Sequence, residues 1–223
     1  GLGDVYKRQI VGRYANRIAN GTATIDGKIY SFDKNQNKNH TLHGGSDGSA
    51  VRNWKIVQYN KSMVTFLDKL PDGHMGFPGN LTVETTYKVA QSTIDIVIEA
   101  STDKTTLCNF TNHSYFNLDG TKNIANHQLM VECDKVLPVD ENGIPISGPI
   151  FAKDLDLDFK TGRTLNNNGN PIEVDHNFCI SNTRQNLRRN AFVTAKNISL
   201  ELFSTEPGLQ VYTGKGLNSG NEK

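Results

Sequence analysis

Leu81-Thr82-Val83-Glu84-Thr85-Thr86-Tyr87-Lys88-Val89, followed after a short break by Ile94-Asp95-Ile96-Val97-Ile98-Glu99, is the stretch that decides the fold class. Leu81, Val83, Thr85, Tyr87 and Val89 alternate with Thr82, Glu84, Thr86 and Lys88; Ile94, Ile96 and Ile98 then alternate with Asp95 and Glu99. Successive side chains of a strand point to opposite faces, so a period of two predicts two half-buried antiparallel strands. Working outward, Asp26-Gly27 separates residues 23–25 from 28–30. That dipeptide takes the positive φ angles of a type I′ turn, which predicts a hairpin. Further short strands are predicted over residues 54–59, 63–67, 129–133 and 198–203. No segment carries a sustained 3.6-residue apolar period with caps, and the connections at 140–149 and 166–171 are rich in Asn, Gly, Asp and Pro. The reading is all-β and antiparallel, a large sandwich in one domain over residues 1–223.

Composition narrows the function classes. The chain has 223 residues, 36% hydrophobic and 21% charged, with a formal charge of +1. Such a balance gives no general attraction to nucleic acid or anionic lipid. Arg184, Arg188 and Arg189 form a basic cluster among Asn and Gln, read as a solvated loop. Cys108, Cys133 and Cys179 form no CxxC pair and no metal-spaced set. No apolar run approaches bilayer length. The chain lacks an initiator Met, and residues 1–9 read as non-native, so no leader is legible there. A cytoplasmic location is the expectation, with periplasm or secretion as the alternative.

Polar chemistry is concentrated in six segments. Residues 111–118, Thr-Asn-His-Ser-Tyr-Phe-Asn-Leu, read as a strand that sends His113, Tyr115 and Asn117 to one face. Imidazole, phenol and amide together suit a sugar, whose hydroxyls need oriented hydrogen bonds and whose ring carbons need flat apolar contact. Gly12-Arg13-Tyr14-Ala15-Asn16-Arg17-Ile18 carries two arginines and an amide, and Thr41-Leu42-His43-Gly44-Gly45 sets an imidazole beside two glycines. The loop from Asp72 to Leu81 contains Gly76-Phe77-Pro78-Gly79-Asn80, and Val174-Asp175-His176-Asn177-Phe178 pairs carboxylate with imidazole. Thr205-Glu206-Pro207-Gly208-Leu209-Gln210-Val211-Tyr212-Thr213-Gly214 closes the set. A metal site at His40 and His43 is disfavoured, because three-residue spacing on a strand points the rings apart. His74 and His127 read as structural or exposed.

In order and content these six segments resemble the aldose 1-epimerases, or galactose mutarotases, over nearly the whole chain. The resemblance implies a β-supersandwich, no cofactor, no metal, and a small aldose as partner, in a monomer or homodimer. It also implies mutarotation: the C1 hydroxyl of a pyranose loses a proton while the ring oxygen gains one, the ring opens, and reclosure inverts the anomeric centre. His113 would be the acid that protonates the ring oxygen, a duty suited to an imidazole at near-neutral pH. His43 would assist by hydrogen-bonding the sugar, Asn16 and Arg17 would hold hydroxyls, and Asp175 would accept from them. Ser114 and Tyr115 would extend the binding run.

Departures accompany the matches. The family's base is a glutamate in a Leu-Glu-x-Gln segment followed by Pro-Asp-Ala/Ser-x-Asn, and neither occurs among the 223 residues. Glu206 matches a different position and reads as a binding residue rather than a base. The general base is therefore not present, and the sequence reads as a fragment cut at both ends. His74-Met75 stand where acidic residues are usual in the family. Two other readings stay open: a hexose 6-phosphate mutarotase, for which Arg13 and Arg17 are the candidate cations, and a non-catalytic carbohydrate-binding sandwich.

Overall fold

The computed structural model describes residues 9–215 and Leu217. The stretch 1–8, with most of the segment read as non-native, lies outside the described residues. Two compact units divide the chain, one ending at Tyr115 and one beginning at Phe116. No α-helix occurs among the described residues, which fold as strands joined by loops and short 3₁₀ turns.

In the N-terminal unit the strands are β1 (Ile10–Val11), β2 (Arg17–Ile18), β3 (Thr22–Ile25), β4 (Lys28–Ser31), β5 (Thr41–Leu42), β6 (Lys55–Tyr59), β7 (Met63–Leu70), β8 (Leu81–Ala90), β9 (Thr93–Thr102) and β10 (Thr111–Asn112). The predicted hairpin is β3–β4, with Asp26 at φ 48° and Gly27 at φ 73°, as a type I′ turn requires. β6, β7, β8 and β9 form one antiparallel meander. Leu81, Val83 and Thr85 of β8 are buried, and Leu70, Leu81 and Val83 pack with Trp54, Ile98 and Phe110. A second cluster joins Ile18, Ile25, Phe32 and Phe77, the two phenyl rings stacking at 4.3 Å.

The C-terminal unit contains β11 (Gln128–Val131), β12 (Lys135–Val136), β13 (Ile150–Phe151), β14 (Arg163–Thr164), β15 (Asn166–Asn167), β16 (Asn170–Pro171), β17 (Asp175–Cys179), β18 (Arg188–Ala195), β19 (Ile198–Ser204) and β20 (Gly208–Tyr212). Two four-stranded antiparallel sheets, ordered β14-β11-β18-β19 and β13-β12-β17-β20, carry its core. Leu129, Val131, Val136, Leu157, Phe159, Val174 and Phe178 meet there. Burying each such side chain contributes about 1.5–3 kcal/mol.

Three expectations need correction. The alternation over 111–118 does not make a strand beyond Asn112. Only Thr111 and Asn112 pair with β1, after which the Asn112 side chain accepts the Ser114 N–H at 3.1 Å and ends the ladder. Asn side chains compete with strand pairing in this way. Next, β9 is not half-buried: Ile98 alone of its residues is partly buried, and Ile94 and Ile96 are 63% and 39% exposed. Last, the arginine cluster is a solvated loop only at Arg184, whose side chain is 74% exposed. Arg188 and Arg189 open β18, and Arg189 bonds Glu132 at 2.8 Å and Glu201 at 3.0 Å.

Candidate functional site

The N-terminal unit builds a site around two imidazoles. β2 and β5 pair antiparallel, with Arg17 opposite Leu42, so the segments carrying Asn16-Arg17 and His43 run side by side. The His43 N–H donates to the Asn16 carbonyl at 3.0 Å, and the Asn16 N–H donates to His43 Nδ1 at 3.0 Å. This reciprocal pair sets the tautomer: with Nδ1 accepting, the proton of neutral His43 sits on Nε2. Both residues have left-handed backbone, Asn16 at φ 65° and His43 at φ 53°. Gly44 continues the turn at φ 87°, where a Cβ would lie 2.1 Å from the Gly12 carbonyl oxygen. Only glycine fits that approach.

His113 enters from beyond β10, its N–H donating to the Gln9 carbonyl at 2.8 Å. Its ring meets His43 edge-on, with centroids 5.2 Å apart, and lies 5.1 Å from the Tyr115 ring. Burial, the His113 ring and the Arg17 guanidinium, in that order, push the His43 pKa down from 6.5 to about 3. His43 is therefore neutral across the physiological range. Arg17 is oriented by two neighbours, Nε donating to Gln36 Oε1 at 3.1 Å and Nη1 to Asn16 Oδ1 at 3.2 Å. Gln36 was not singled out in the sequence. It lies in an Asn- and Lys-rich loop that gives no local sign of a site role.

Of the expected residues, Asn16, Arg17, His43, His113 and Tyr115 thus come together. Ser114 lies in the same unit, half-buried, with its N–H turned to Asn112. Asp175 and Glu206 belong to the C-terminal unit. There Asp175 Oδ1 accepts from Gln210 Nε2 at 2.7 Å across the β17–β20 pair. His176 is the next residue on the strand, so it faces away from that carboxylate, and burial lowers its pKa. Glu206 Oε1 bonds Arg184 Nη2 at 2.7 Å.

Arg13 departs from its expected part. It is fully buried, with Nη1 donating to the carbonyls of Pro78 and Gly79 at 2.8 and 2.9 Å, and Nη2 to that of Leu70 at 3.1 Å. Its charge serves loop backbone and is not available to a phosphate. His40 is likewise structural, buried with Nδ1 accepting the Asn20 N–H at 3.0 Å. Among the described residues, no group of His, Cys, Asp or Glu is placed to hold a metal ion, and no helix is long and apolar enough to cross a membrane.

The aldose 1-epimerase family pattern matches residues 2–223. The chain belongs to the aldose 1-epimerase family. It is 36% identical to the aldose 1-epimerase of Escherichia coli over 218 residues, covering 93% of this chain and 63% of that protein. Against the galactose mutarotase of Sus scrofa it is 37% identical over 225 residues, 96% of this chain and 64% of that one. Among solved structures, an aldose epimerase homologue from C. elegans superposes with a TM-score of 0.87 at 29% identity, covering 96% of this chain and 67% of that chain. Galactose 1-epimerase from Lactobacillus acidophilus gives 0.82 at 25% identity, with 96% and 65% covered. The all-β, galactose mutarotase-like fold of the epimerase family is thus the fold of this chain. The chain spans just under two thirds of the length of the curated relatives it matches.

Proposed function

We propose that the chain binds an aldohexose and carries the acid side of an aldose 1-epimerase reaction. The observation that carries this reading is the division of labour between the two imidazoles. With its pKa near 3 and Nδ1 bonded to Asn16, His43 stays neutral and offers Nε2–H as a hydrogen-bond donor. Two imidazolium ions with ring centroids 5.2 Å apart would repel, so a proton held at the pair belongs to His113. One group polarises and the other transfers the proton, a separation that acid–base sites achieve by pushing the titrations of neighbours apart.

In this mechanism His113 donates its proton to the ring oxygen as the C1 hydroxyl proton is withdrawn on the opposite side. Ring opening, rotation about C1–C2 and reclosure then interconvert the α and β anomers. Arg17, oriented by Asn16 and Gln36, binds hydroxyls; Asn16 and Ser114 complete that set, and Tyr115 offers a flat contact to ring carbons. A buried donor whose hydroxyl partner is missing is costly, which supplies selectivity among sugars. The withdrawing base is not assigned to any of these residues. The test is a galactose titration followed by imidazole NMR. The His43 and His113 resonances should move together on binding, and Arg17→Ala should weaken affinity by about tenfold or more. If neither ring responds at saturating sugar, the reading is wrong.

A further inference from the structure

His43, Gly44 and Gly45 all have left-handed backbone, at φ 53°, 87° and 100°. The Gly45 N–H closes the turn on the Leu42 carbonyl at 3.1 Å, and the Gly48 N–H caps the Gly45 carbonyl at 3.1 Å, so the segment moves as a unit whose seat is set by what surrounds it. On one side lies Gly12, whose carbonyl accepts the Ser49 N–H at 3.0 Å. On the other lies the His74–Gly76 turn. Met75 Sδ accepts the Asp47 N–H at 3.4 Å, and a Cβ on Gly45 would stand 3.0 Å from Met75 Cγ and Sδ. The Met75 carbonyl accepts the Asp33 N–H at 3.0 Å, while Asp33 Oδ2 accepts the Ser46 N–H at 2.7 Å. His74 Nε2 lies 2.8 Å from Asp47 Oδ2, which also accepts from Arg52 Nη1 at 2.9 Å. Arg52 is anchored in turn on the buried carboxylate of Asp68, which Ser49 Oγ also reaches at 3.2 Å. Residues 33, 46–47 and 74–75 thus close into a clasp over the turn that carries His43.

We propose that His74 and Met75 are positioning residues for His43. They hold the Gly45–Asp47 backbone, and through it set the distance and angle of the His43 ring to His113. The assignment rests on the epimerase reading only for what His43 is positioned to do. The Asp47 side chain is 51% exposed and that of His74 12%, and a hydrogen bond to a carboxylate so open to water adds little to global stability. Its effect is therefore expected in the geometry of the site rather than in the fold. Displacements of about 1 Å in a site of this kind cost up to about a hundredfold in function.

The experiment compares His74→Phe, which keeps a ring but loses the N–H, with His74→Gln, whose amide reaches the same carboxylate. His74→Phe should shift the His43 imidazole resonances and weaken galactose binding about tenfold. His74→Gln should restore both, with urea midpoints unchanged throughout. Met75→Leu keeps the volume and removes the sulfur acceptor, and should shift His43 as well. Resonances of His43 identical to wild type in both His74→Phe and Met75→Leu would overturn the proposal. So would failure of His74→Phe to fold, since the pair would then carry the fold. If His43 moves as expected but galactose binds none of the proteins, wild type included, positioning stands and the epimerase reading falls.

Discussion

Lowering the pH from 7 to 5 perturbs one group in this protein whose response can be worked from its surroundings. His43 titrates near 6.5 in an unfolded chain and near 3 in the folded one. Between those values the unfolded state binds more protons, so the stability contributed by neutral His43 is complete above about pH 6.5 and is lost as pH falls toward 3. Each unit of separation corresponds to about 1.4 kcal/mol, so at about pH 5 the folded state should have lost about 2 kcal/mol from this residue. Other groups also gain protons as the pH falls, and the quantity to read is therefore a difference. His43→Asn is the suitable reference, because asparagine tolerates the left-handed backbone required there. Urea unfolding at the two pH values should show the variant losing about 2 kcal/mol less than wild type. An NMR titration that finds the His43 midpoint between about 6 and 7, with parallel stability curves, would refute both the burial argument and the division of roles between the imidazoles.

Other consequences are equally open to measurement. Arg13→Met keeps length and apolar contact but strands the carbonyls of Leu70, Pro78 and Gly79; a loss of about 3 kcal/mol or more by urea unfolding is expected, and a loss under about 1 would mean those carbonyls find other partners. Gly44→Ala sets a Cβ against the Gly12 carbonyl at φ 87°, and should cost about 2 kcal/mol or more, read from the thermal midpoint. By polarimetry residues 1–223 should interconvert galactose anomers little faster than buffer, because the Glu206 carboxylate is engaged with Arg184 at 2.7 Å. Near-normal turnover would reveal a base among the residues present.

Strand content was legible wherever one face had to be buried. The Leu81–Ala90 alternation and the Asp26-Gly27 turn obey local rules, and both appear as read. The same rule misled over 111–118, because a period of two says nothing about whether a partner strand is present. There Asn112 turns its side chain onto the backbone and the ladder stops. It misled again over β9, where alternation was present but the burial it implies was not, except in part at Ile98.

The amino-acid sequence by itself determined the class of fold and the family, and offered the set of polar residues from which we propose a sugar site, because propensity, turn chemistry and ordered motifs are properties of neighbouring residues. Tertiary structure decided which of those residues lie together. Arg13 and Arg17 stand four positions apart in one motif, yet one is sealed against carbonyls 57 to 66 residues away while the other is held beside the imidazoles. His40 and His43 are three apart, and one only braces a loop while the other faces His113. Burial and charge depend on partners brought near by folding, and distance in space is not written in the local pattern.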